Sequence, residues 1–380
     1  MGETEEVELQ VTIGNADKAA NPKITEETNG SGLPQNQRYS RWIRVFLYAL
    51  LLLTGQSVAM LLGRLYFEKG GDSKWLSALS QVVGFPILIP YYFIAKPKDP
   101  PNPDDILPKP PSTLTLLAVY VTIGLITSAI CFLYSIGTQY LPVSTYSLLC
   151  PSQLAFNCFF SYFLNSQKFT PPIINSLLLL TISSVLLAFN KESANPTNVS
   201  KAKYAVGFIC TIIASAGYGL MLSVTQFCFN KIIKRTSFNV VMDMVIYPQT
   251  VAVSVAVIGL FASGEWNNLI GEMGEYQLGK VAYVMNIVWT VISWQISSIG
   301  CVGLIFEVSS LFSNAVSVLG TPIVPILAVF FLNEKMDGVK GVSMVLAVWG
   351  FISYAYQQYM DDREERAQKS LLNEVSQRID

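Results

Sequence analysis

The sequence predicts an all-α polytopic membrane protein whose ten transmembrane helices form two inverted repeats of five. Three observations predict it. The chain is 51% AVILMFWYC and only 13% charged, where a soluble domain is roughly a quarter charged, so its apolar surface exceeds what one aqueous core hides. No Asp, Glu, Lys or Arg stands between Lys109 and Lys168, a neutral run long enough for two bilayer crossings and a turn. "FLNSQKF" at Phe163–Phe169 reappears as "FLNEKMD" at Phe331–Asp337, each closing a charge-poor segment.

Residues 1–40 are rich in Glu, Asn, Gly and Thr, with no apolar stretch or cleavage site, and read as a disordered cytoplasmic tail. The ten-helix domain follows over 41–360, and 361–380 form a charged cytoplasmic C-terminal tail. The first span, 44–65, begins among arginines, and the second, 75–95, follows the polar "EKGGDS". The connector 95–112, "AKPKDPPNPDDILPKPPS", holds too many prolines for a helix. The third and fourth spans, 113–135 and 142–164, share the neutral run. The fifth, 171–190, opens on Pro171 and Pro172, which suit a first helical turn. The sixth, 204–229, and seventh, 239–262, flank the basic group Lys231, Lys234 and Arg235. The eighth, ninth and tenth are 281–303, 307–332 and 339–359. All six cysteines fall within spans and read as small packing residues, not as disulfides or metal ligands.

The repeat is set by the two FLN motifs at an offset of 168 residues. That shift carries the fourth span onto the ninth, five spans later, and an odd number of crossings reverses direction. The halves are then about 41–200 and 201–360. Inverted repeats place a binding site near the membrane midplane between two nearly equivalent arrangements, which is transporter architecture. The chain has no histidine, so the commonest general base and metal ligand is missing. The sequence reads as a non-enzyme without cofactor or metal.

Polar residues inside the spans mark the candidate site. Tyr146, Cys150, Gln153, Asn157 and Ser161 recur at the spacing of one helical face, and Glu307, Ser310, Asn314, Ser317 and Thr321 recur in the same way. Lipid does not accept amides, so these faces point inward. The offset pairs Tyr146 with Asn314 and Gln153 with Thr321. Gln56, Gln81, Tyr134, Tyr218, Trp294 and Gln295 add amides and aromatic faces from other spans. For the hydroxyls, the competing role is to hold helices together. Anionic substrates want Arg or Lys clamps, and the span interiors hold none apart from Arg64 at an end. Aromatic walls with Asn and Gln suit a flat neutral heterocycle whose edge pairs bidentately.

The stretches "GQSVAMLLGRLYFEKGGDSKWLSALSQVVGFPIL", "STYSLLCPSQLAFNCFFSYFLNSQKFTP", "ASAGYGLMLSVTQ" and "WQISSIGCVGLIFEVSSLFSNAVSVLGTPIVPILAVFFLNEKMDGVKG" resemble the signature stretches of the plant purine permease family, within the drug/metabolite transporter superfamily. The resemblance covers roughly 40–360. It implies the drug/metabolite transporter fold, cytoplasmic termini, and proton-coupled uptake of adenine and related purines, cytokinins included. Family members commonly carry "FHDKM" where this sequence has "FLNEKM", so no histidine handles protons at that point. A transporter of phosphorylated metabolites, nucleotide sugars or alkaloids, and a ligand sensor that transports nothing, are the competing functions. The expected partners are a purine or cytokinin, protons and the bilayer, not nucleic acid, and the expected location is the plasma membrane.

Glu307 is the only acid or base between Lys280 and Glu334. It is expected to open the ninth helix near the cytoplasm and to carry the coupled proton, with Asp243 as a second candidate. The competing role is a carboxylate that complements the helix dipole.

Overall fold

The computed structural model describes residues 35–90, 111–141, 146, 149–167, 169–188, 200–233, 238–320 and 338–379. All regular elements among them are helices: α1 Gln35–Glu68, α2 Lys74–Ser80, α3 Thr113–Tyr140, α4 Ser152–Asn165, α5 Pro171–Ala188, α6 Lys201–Phe227, α7 Phe238–Ala262, α8 Leu269–Glu275, α9 Lys280–Glu307, α10 Ser310–Gly320 and α11 Gly338–Ile379. Five are long and apolar enough to cross a bilayer, namely α1, α3, α6, α7 and α9, and α5 and α10 hold shorter apolar stretches. The chain is a polytopic helical membrane protein.

Most predicted spans coincide with a helix to within a few residues, and the departures have local causes. The second span is not one helix. α2 stops at Ser80, and the chain turns through Gly84 into a 3₁₀ turn, Phe85–Leu88, because Pro86 has no N–H to continue an α-ladder. In the fourth span residues 146 and 149 are helical, a turn at Cys150 and Pro151 follows, and α4 runs from Ser152. Glu307 ends α9 instead of opening the ninth helix. The break falls at Val308 and Ser309, where Ser309 Oγ accepts from Phe312 N at 3.1 Å, and Gln226 Oε1 of α6 accepts from Ser310 N at 2.9 Å. These bonds satisfy donors that a helix start leaves open. α11 runs on through the predicted C-terminal tail to Ile379. The N-terminal tail up to 34, most of the proline-rich connector, Thr321 and "FLNEKMD" lie outside the described residues.

Glycines and small polar residues set the packing, as expected where lipid gives no hydrophobic drive between helices. α1 lies along α9 so closely that a Cβ at Gly55 would stand 2.6 Å from Ser293 O, and one at Gly300 would stand 2.5 Å from Tyr48 O. α6 packs on α3 and α4, with Gly219 against the backbone of Asn157. α5 packs on α11, where Ser183 Oγ donates to Ser343 O at 2.6 Å and Ser343 Oγ donates back to Ser183 O at 3.0 Å. Leu52, Leu154, Leu222, Leu304 and Leu311 fill the buried core among α1, α4, α6, α9 and α10. Many large apolar side chains instead face outward, among them Phe46, Phe159, Ile209 and Ile258, as a lipid-facing surface requires.

Candidate functional site

The candidate residues separate into a crossing of helices, a buried seam beside α2, and a clasp at one end of the bundle.

At the crossing, α4 and α10 meet through their amides. Asn157 Nδ2 donates to Ser310 O at 3.1 Å, and Asn314 Nδ2 donates to Gln153 O at 3.1 Å. Asn157 Oδ1 accepts from Ser223 Oγ of α6 at 2.7 Å and from Ser161 Oγ at 3.1 Å. Gln153 Nε2 donates to Ser317 Oγ at 3.4 Å, and Ser317 Oγ donates to Gln56 Oε1 of α1 at 2.8 Å. Tyr134 of α3 places its hydroxyl 3.3 Å from Gln153 Oε1 and 3.2 Å from Ser215 Oγ. The Tyr146 ring stands edge-on to that of Tyr134, with centroids 6.2 Å apart. Tyr218 reaches Cys301 Sγ at 3.7 Å, a sulfur that also receives Ser313 Oγ at 3.4 Å. The structure thus brings together Gln56, Tyr134, Tyr146, Gln153, Asn157 and Asn314, with Tyr218 beside Cys301. The reciprocal asparagine bonds match Asn157 with Asn314 and Gln153 with Ser310, about three helical turns from the pairing that the FLN offset suggests.

The crossing amides bind protein as donor and acceptor, and Asn314 Oδ1 is the exception, buried without a partner among the described residues. Gln226 joins them by accepting from Ser310 Oγ at 2.6 Å. It was not singled out in the sequence, although a lone amide in an apolar span is the signal that marked Gln153.

The seam is different. Gln81 Nε2 lies 3.2 Å from Ser135 Oγ and 3.4 Å from Cys131 O of α3. Gln295 is 3% exposed, and neither its Oε1 nor its Nε2 has a partner among the described residues. Gly84 lies opposite: a Cβ there would meet Gln295 Cβ at 2.8 Å and Oε1 at 2.9 Å. Gln249 of α7, also missed in the sequence, donates Nε2 to Ser298 Oγ at 3.1 Å, and its buried Oε1 has no partner among the described residues. Ser298 is one turn from Gln295 on the same helix. A small cleft between α2 and α9 is lined by Ser77, Ser80, Asn286 and Thr290 together with Tyr66, Leu76 and Ile287. Trp294 is half-buried on α9.

The clasp holds Glu307. Arg44 donates Nε to Glu307 Oε1 at 2.6 Å and a second N–H to Oε2 at 3.3 Å, and Arg41 Nε stands 3.7 Å from Oε2. The sequence showed these arginines at the start of the first span but not that they face Glu307, 263 residues away from Arg44. At the opposite end of α1, Glu272 accepts from the hydroxyls of Tyr66 and Tyr283 and from Ser73 N, and Glu265 accepts from Ser73 Oγ at 2.6 Å and Trp75 N at 3.0 Å. Burial, then the Glu272 carboxylate, raises the Tyr276 hydroxyl above its ordinary range. No group of His, Cys, Asp and Glu able to hold a metal occurs among the described residues.

Comparison with known proteins identifies the scaffold. A family described as purine nucleobase transmembrane transport matches residues 43–364. The chain is 54% identical to "Probable purine permease 10" of Arabidopsis thaliana over 95% of this chain and 93% of that protein. It is 53% identical to "Purine permease 21" of the same plant over 93% and 92%. One solved crystal structure shares the fold, with a TM-score of 0.51 at 13% identity over 85% of this chain and 98% of that one. The chain belongs to the purine permease family.

Proposed function

We propose that the chain imports purine nucleobases and related heterocycles such as cytokinins, with protons, by alternating access between two inverted halves of five helices each. The observation that carries this reading is the match to permeases over nearly their whole length. The packing supports the two halves. α1 on α9 and α3 on α6 are the pairs that a twofold relation between halves would exchange. The asparagine bonds across α4 and α10, and the serine bonds across α5 and α11, are each made in both directions, as self-complementary contacts across a twofold axis are.

The substrate is held by amides and aromatic faces without a cationic clamp, which suits a neutral base. Proton coupling is assigned to Glu307. The carboxylate is the one that stands between two long neutral runs of sequence, and Arg41 and Arg44 hold it at one end of the bundle. We place both termini in the cytoplasm and the protein in the plasma membrane.

The test is uptake of labelled adenine into cells expressing the chain, with a cytokinin and a nucleoside as competitors. Saturable uptake that rises at acidic external pH and is inhibited by the cytokinin is expected. No uptake above the untransformed cells, with the protein present at the surface, overturns the reading.

A further inference from the structure

We propose that Gln295 reads the hydrogen-bonding edge of the transported base, that Gly84 keeps the space in which it does so, and that the amides of the α4–α10 crossing hold the helices together instead. The inference rests on the purine reading above and assigns its specificity to one side chain.

The two groups of amides differ in how their hydrogen bonds are used. Asn157 binds Ser310, Ser161 and Ser223, and Gln153 binds Tyr134 and Ser317. A base that paired with them would first have to break these bonds. Gln295 offers both a carbonyl oxygen and an NH₂, buried and unanswered. A buried amide left unpaired costs the full desolvation of its atoms, so its presence calls for a partner that the described residues do not supply. An amide presents an acceptor beside a donor, the complement of an amino group beside a ring nitrogen on adenine. The Gln249 carbonyl, also unpaired, adds an acceptor close by on α7. The backbone at Gly84 approaches so closely that any side chain there would displace the Gln295 amide. A small cleft between the same two elements, α2 and α9, takes the hydroxyls of Ser77, Ser80 and Thr290 and the Asn286 amide into its lining, and Asn286 and Thr290 lie on the helix that carries Gln295.

The test is Gln295→Met, which keeps length and volume and removes both polar atoms. Because those atoms have no partner among the described residues, the purified variant is expected to melt at the wild-type temperature or higher. Its KM for adenine should rise about tenfold or more, the loss that goes with an unpaired edge. The preference for adenine over 6-methylpurine, which lacks the amino donor, should collapse toward one. A wild-type chain that transports no purine refutes the underlying reading. A wild type that transports adenine, beside a Gln295→Met that keeps the adenine preference, overturns the inference alone. A clearly lowered melting temperature in Gln295→Met overturns it too, since the amide would then be a packing group.

Discussion

Asn157 on α4 and Asn314 on α10 make the same bond in opposite directions, each donating to the backbone carbonyl four residues before the other. The pair locks the register between two helices that lie far apart in sequence. Asn157→Ala would remove the shared acceptor of Ser161 and Ser223, leaving these hydroxyls to each other, to Ser310 Oγ and to the backbone oxygen of residue 157. We expect a loss of about 1–3 kcal/mol in stability, read as a lower melting temperature in detergent, with a smaller loss for Asn314→Ala, whose Oδ1 is unpartnered already. Equal stability of wild type and Asn157→Ala would show the network to be dispensable.

The backbone contact of α1 with α9 predicts a sharp size limit. A methyl at Gly300 would stand 2.5 Å from both Tyr48 O and Leu52 N, atoms of a helix that moves only as a whole. Gly300→Ala is expected to cost roughly 1–3 kcal/mol by overpacking, and Gly300→Leu to abolish the folded protein. Gly63, where an added Cβ would meet no atom within 4 Å beyond its chain neighbours and its own helix backbone, serves as the control position and should accept alanine with little change in the yield of monodisperse protein.

The clasp predicts a separation of exchange from accumulation. Glu307→Gln keeps a hydrogen-bonding group but cannot alternate between charged and neutral. It should exchange labelled for unlabelled purine across vesicle membranes while losing accumulation driven by a pH gradient. Concentration of purine by Glu307→Gln with the wild-type pH dependence would leave the carboxylate as a structural tie to Arg41 and Arg44 only.

The loops at the other end predict a reversible block. Ser73 Oγ and Glu265 Oε2 are 2.6 Å apart, joining the α1–α2 turn to the segment before α8. If that end opens during transport, Ser73→Cys combined with Glu265→Cys should stop uptake under oxidant and recover it under reductant. Unchanged uptake in a chain shown to be cross-linked would mean that this end stays shut throughout.

The sequence showed the long helices plainly because an uncharged stretch of bilayer length has few other uses. It also pointed to the inward faces of α4 and α10, since amides at helical spacing cannot face lipid. The register between them was beyond its reach: the first FLN motif closes α4, where turn chemistry can resemble a distant stretch without regard to what the helices do deeper in the membrane. Glu307 was recognised as an isolated charge, but its partners, Arg41 and Arg44, are separated from it by most of the chain, and hydropathy carries no information on which helix lies beside which. The difference between Gln153, bonded on both sides, and Gln295, bonded on neither, exists only in three dimensions.

The seryl bonds that join α5 to α11 bear on how the protein is made. Ser183 and Ser343 are both fully buried and lie 160 residues apart. While the ribosome is still producing α6 to α10, the face of α5 that will receive α11 has no permanent neighbour. Insertion can be sequential, but final assembly waits for the last helix. Premature termination before α11 would therefore strand a chain whose other helices are all inserted, with one polar stripe open to lipid or to a second truncated copy.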